Sequence, residues 1–161
     1  MMDDERAVAQ VLARYVRAVD HRDGAAMSAL FVADAVAESY YNNGGKREKL
    51  AELTGAEAIG KAVAGLMAPH PPRGWSHHTT HDHIIEVDGD EATLDAQFVV
   101  FTIQGHERPA EGWPAGASGA QGTITPIESG YYQPRLRRVG GAWRIFHHTI
   151  LLDQPLVLPG G

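Results

Sequence analysis

HIIEVDGDEATLDAQFVVFTI, residues 83 to 103, decides the fold class. β-branched and aromatic residues flank Asp88-Gly89, a pair suited to a tight turn, so the stretch predicts two antiparallel strands. GYYQPRLRRVGGAWRIFHHTILL (130–152) predicts a second hairpin turning at Gly140-Gly141. Pro134 within it belongs at an edge or a bulge, because proline donates nothing to the ladder.

Upstream of this the period is helical. Val8, Val11, Leu12, Tyr15, Val16 and Val19 form one apolar stripe on a first helix starting near Asp3 or Asp4. Asp23 suits the N-cap of a short helix that carries Met27, Leu30 and Phe31 inward. Thr54 and Glu57 have capping-box spacing ahead of a third helix burying Ile59, Val63, Leu66 and Met67, which Pro69 stops. A short strand, Val36 to Tyr41, precedes it. Helices first and antiparallel strands afterwards give an α+β domain, with the helices on one face of the sheet.

Residues 1–161 read as a single domain. Two stretches fit neither period: a polar connection at 41–53 and a long Gly/Pro/Ala loop at 106–130, of the kind that forms lids or binding loops. The apolar tail, 152–161, reads as an arm packing on this subunit or a neighbour.

The net charge of −6 argues against nucleic acid as the main partner, which needs a basic face. The cluster Arg135, Arg137, Arg138 is short and reads as a solvated strand face. With no cysteine, disulfides, thiolate metal sites and cysteine nucleophiles are all excluded. The acidic, helical N-terminus does not resemble a signal peptide, and no apolar run reaches the roughly 18 residues of a membrane span, so the expected location is cytoplasmic.

Just before the first hairpin, WSHHTTHDHIIEV (75–87) concentrates four of the nine histidines. On a regular strand His77, His81 and His83 share one face, where they could ligate a metal with help from elsewhere. His78 lies on the other face and offers acid/base chemistry, since imidazole titrates near neutrality and a carboxylate beside it fixes its tautomer. The natural carboxylate is Asp20, which continues the stripe of the first helix from Leu12 and Val16. Either that helix has ended and Asp20 sits in water, or its carboxylate enters a partly apolar pocket and needs a partner. Tyr15 is roughly 140° away around the helix, close enough to share such a cavity. Near the end of the chain, alternation from Trp143 and Ile145 puts His147 on the enclosed face. No nucleophile elbow, phosphate loop or nucleotide fingerprint is present.

The order and spacing of YVRAVDHRDGAAMSALF (15–31), TGAEAIGKAV (54–63), HHTTHDHIIEVDGDEATLDAQFVV (77–100) and GYYQPRLRRVGGAWRIFHHTI (130–150) resemble the SnoaL-like branch of the nuclear transport factor 2-like superfamily. The resemblance implies a cone-shaped α+β barrel, its strongly curved, mostly antiparallel sheet wrapped around the N-terminal helices to leave an apolar pocket. It also implies the chemistry of the family's polyketide cyclases, dehydratases and isomerases: cofactor-independent proton transfer on an apolar, cyclic small molecule. The dehydratase-like members carry an Asp at the end of the first helix and a His before the central strand, positions that fall on Asp20 and His78. A Tyr five residues before the Asp, found in bile-acid dehydratase, falls on Tyr15. Several relatives have an Arg in the last strand where this chain has His147 and His148, so His147 is expected to stabilise developing negative charge. Phe31, Trp75, Asp82, Phe98, Phe101, Trp113 and Tyr132 are the expected pocket wall, with no metal. The competing reading is a non-catalytic small-molecule-binding domain of the same fold. Relatives form dimers and trimers, which makes a homo-oligomer the expected assembly.

Overall fold

A computed structural model describes residues 3–157. Three helices, α1 (Asp4–Asp20), α2 (Gly24–Ser28) and α3 (Ala56–Gly65), accompany six strands: β1 (Phe31–Asn43), β2 (Lys46–Thr54), β3 (Gly74–Asp88), β4 (Glu91–Gly105), β5 (Gly122–Val139) and β6 (Ala142–Leu152). The strand order is β2-β1-β6-β5-β4-β3. All neighbours are antiparallel except β1 and β6. The sheet is not closed: β2 and β3 are its edges, so the barrel implied by the resemblance is an open sheet. No described helix is long and apolar enough to cross a membrane.

Helix α1 forms for the reasons legible in its sequence. The Asp3 carboxylate caps it by accepting from the Arg6 amide at 2.8 Å, and the whole predicted stripe is buried. Asp23 caps α2 in the same way, accepting from the Ala26 amide. α2 and α3 cross where Gly24 meets Gly60, and a β-carbon at either would lie 2.5 Å from the other's carbonyl oxygen. The two glycines set the closeness of that crossing.

The capping box does not form. Gly55, at a φ of 97°, is the N-cap of α3 and no side chain caps it. The helix also ends earlier than its pattern implies, so Leu66 is 70% exposed. Residues 41–53 are not a connection. Asn43 pairs with Lys46 across Gly44-Gly45, both at positive φ, and β2 runs back along β1 as an edge strand. Its charged sequence, KREKLAELT, protects a free edge and so hides the period-two pattern. Likewise the loop expected over 106–130 ends early, because β5 begins at Gly122. Of the C-terminal arm, Asp153 binds Ser129 through backbone and side chain, and residues 158–161 lie outside the described residues.

Three of the sheet's bulges set which side chains of β3, β5 and β6 face inward. β3 carries an extra residue between His81 and Ile84, where Asp82 has a φ of 52°. β5 carries one at Ile127, opposite the step from Val100 to Phe101. β6 carries one at Phe146, opposite the step from Leu136 to Arg135. Each inserts one residue and therefore exchanges the two faces beyond it. Pro134 sits in an interior strand, beside the β6 bulge. The arginine cluster is absorbed locally: Arg135 and Arg137 lie over the Phe146 ring, while Arg138 pairs with Asp4 and Asp90.

Candidate active site

The last residue of α1 meets the inner face of edge strand β3. Asp20 is 6% exposed, and its carboxylate collects four contacts. It accepts from Ser76 Oγ at 3.0 Å, from the His78 backbone N–H at 3.2 Å to each oxygen, and from His78 Nδ1 at 2.5 Å. Strand alternation explains the set, since Ser76 and His78 are two apart and point the same way. Burial alone would raise the Asp20 pKa. The hydrogen bonds and charge of His78, with Ser76, outweigh that and hold it below the ordinary carboxylate value. An ionised Asp20 only accepts, so His78 donates through Nδ1–H, and its other ring nitrogen, Nε2, points away from the carboxylate. That Nε2 makes no hydrogen bond to the described residues.

The pair opens on a cleft of about 380 Å³ between α1 and β3, lined by Ala13, Val16, Arg17, Asp20, His21, Trp75, His77, His78 and Thr80. Trp75 is packed between His70 and His21, with ring centroids 4.5 and 5.0 Å away. His70 also bonds the Asp20 carbonyl at 2.6 Å, which ties the end of the helix to the segment leading into β3. The lining is more polar than the resemblance implies.

Tyr15 does not line the cleft. It packs edge-on against Tyr132 and His148, within an aromatic cluster that includes Phe31 and Phe98. Burial, with the Glu128 charge nearby, pushes its phenol well above the usual value. Phe31, Phe98 and Tyr132 are buried within this cluster and do not line the cleft. Phe98 and Tyr132 stack at 4.1 Å.

Four expected site residues lie elsewhere. Because Phe146 is the extra residue of its bulge, His147 turns away from the interior and pairs with Glu38 at 2.8 Å, and His148 is enclosed instead. Asp82 is exposed on the β3 bulge, beside Gln97. Phe101 alternates with Phe98 and Val100 and so faces the other side of the sheet. Trp113 stands 41% exposed in the loop before β5. The β3 bulge also breaks the shared face expected for His77, His81 and His83. Among the described residues no three His, Cys, Asp or Glu side chains gather to hold a metal.

Two interior groups were not anticipated. His148 is fully buried with neither ring nitrogen hydrogen-bonded among the described residues, and burial, helped by His147, pushes its pKa down to about 3. Glu128 lies in register with Val100, which is in register with His78, so the three form a row across β5, β4 and β3 on the inner face. Burial raises its carboxyl above the ordinary value, and the His78 charge takes back part of the rise. Alternation backward from Tyr132 would have found Glu128, had its segment been read as strand.

Similarity to known proteins covers the whole fold. The SnoaL-like domain family matches residues 1–149. No curated protein matches the chain. Among solved structures, the β subunit of a candidate aromatic-ring-hydroxylating dioxygenase from Novosphingobium aromaticivorans superposes with a TM-score of 0.69 at 20% identity, over 95% of this chain and 91% of that one. A candidate scytalone dehydratase from the same organism gives 0.61 at 19% identity, over 95% and 89%. A candidate dehydratase of the nuclear transport factor 2-like family from Streptomyces avermitilis gives 0.64 at 16% identity, over 94% and 97%. At such identities these structures share the fold, while the family match spans nearly the entire sequence: the chain belongs to the SnoaL-like domain family.

Proposed function

We propose that this protein is a cofactor-independent lyase or isomerase of the dehydratase or cyclase type. One observation carries the reading: a buried carboxylate holds His78 by Nδ1 at 2.5 Å while Nε2 is left unpaired beside a cleft of about 380 Å³. This is the arrangement a general base needs, because the carboxylate fixes the tautomer and stabilises the imidazolium that forms. A ring resting on Trp75 and Val16 would bring a C–H next to a carbonyl within reach of Nε2. Arg17, His21 and Thr80 favour substrates with oxygen substituents around that ring.

The test is turnover of cyclic β-hydroxy ketones by the native protein, His78→Ala and Asp20→Asn. Each substitution should lower kcat by about 10²–10⁴. His78→Ala should leave the thermal midpoint within a few degrees. Asp20→Asn should also cost about 1–3 kcal/mol of stability, since the carboxylate is the common acceptor joining α1 to β3. Undiminished turnover in folded His78→Ala would refute the mechanism.

A further inference from the structure

Removing a proton is half of an elimination; the departing oxygen needs one delivered. Tyr15 is poorly suited to deliver it, because Tyr132, His148 and Phe31 enclose its ring. Glu128 is better placed. It stands in the same inner row as His78, two strands further in, which is roughly 10 Å between backbones, with Val100 as the residue between them in the row. The adjacent bulge at Ile127 ends the core-facing part of β5: Glu128 is half-buried, whereas residues 122–127 before it are exposed. Its carboxyl makes no hydrogen bond within the described residues, although Tyr15, Tyr132 and His78 are all close enough for charge to be felt.

We propose that Glu128 is the general acid that protonates the oxygen leaving the substrate while His78 removes a proton from the neighbouring carbon. The assignment rests on the acid/base reading of Asp20 and His78. The step balances. His78 Nε2 takes the proton, and the C–H electron pair becomes the new double bond. The C–O bond breaks, and its oxygen takes the Glu128 proton to leave as water. Imidazolium and carboxylate remain, and transfer of the proton from His78 to Glu128, through solvent in the emptied site, restores both. Partial burial raises the Glu128 carboxyl above its ordinary value, the direction a general acid needs, and among the described residues the groups that feel its charge (Tyr15, His78 and Tyr132) include no lysine or arginine that would lower it.

A panel of cyclic and aryl β-hydroxy ketones, each paired with its β-chloro analogue, tests this with native protein, Glu128→Gln and His78→Ala. Chloride departs without a proton. Glu128→Gln should therefore lose about 10²–10⁴ in kcat on the hydroxy ketones and stay within a few-fold of native on the chloro compounds, while His78→Ala loses both. If Glu128→Gln is unimpaired, or equally slow on both sets, the assignment of Glu128 falls and that of the dyad survives. If native protein turns over neither set, or His78→Ala matches it, the dyad reading falls and takes this assignment with it. Folding of each variant is checked by circular dichroism, and Glu128→Asp, which keeps an acid, should recover part of the rate on the hydroxy ketones.

Discussion

Substituting His148 by Leu should change how the protein responds to acid. In the unfolded chain this imidazole takes a proton near its ordinary value of 6.5, whereas in the core it stays neutral down to about 3. Between those values the unfolded state binds one proton more, so native stability falls as pH falls, by about 1.4 kcal/mol per pH unit. The stability is fully present above 6.5 and lost progressively below it. Two pH units down, near pH 4.5, the loss is about 3 kcal/mol, a large part of a typical total of about 5–15. Asp20, held below its ordinary 3.8, is still ionised there, and its own stabilising effect fades only in stronger acid. Glu128 is raised and acts in the opposite direction, but it is common to both proteins and cancels in the difference. Urea unfolding followed by tryptophan fluorescence across this range should show the native protein weakening relative to His148→Leu by about 3 kcal/mol. Near pH 7.5 the variant should be equal or up to about 2 kcal/mol more stable, because two buried nitrogens without partners are removed. Parallel stability curves for the two proteins would refute the argument.

Other consequences are simpler to measure. Gly60→Ala should cost about 1–3 kcal/mol and several degrees of thermal midpoint, because its β-carbon would meet a backbone carbonyl that cannot swing aside; an unchanged midpoint would mean that α2 and α3 are not so close. Trp75→Ala should raise KM at least about tenfold with a smaller change in kcat, as expected for a wall residue and not a proton carrier. Equal losses in kcat and kcat/KM would place it in the chemistry instead.

The dyad was legible because each half belonged to a strong local pattern. Asp20 extended the stripe of α1, and His78 opened a segment with clear strand chemistry. Their meeting was not legible from pattern alone; the family resemblance favoured it, and packing of α1 on β3 brings it about. The last strand shows the opposite case. Counting alternate residues from Ile145 selects His147, but the extra residue Phe146 inverts the count and encloses His148. A bulge leaves little trace in one strand's composition, because it is fixed by the neighbour's register.

By itself the sequence determined the three helices, most of the strands, several of their caps and turns, and Asp20 and His78 as the pair to look for. These follow from short-range rules: helical spacing, β-branching, glycine at positive φ, and an acidic group at the start of a helix. Tertiary structure alone decided that the sheet stays open, that KREKLAELT is an edge strand, and that Glu128 rises in the same row as His78. The reason is physical: which face a strand residue occupies depends on every insertion in the ladder around it, and that ladder joins residues far apart in the chain.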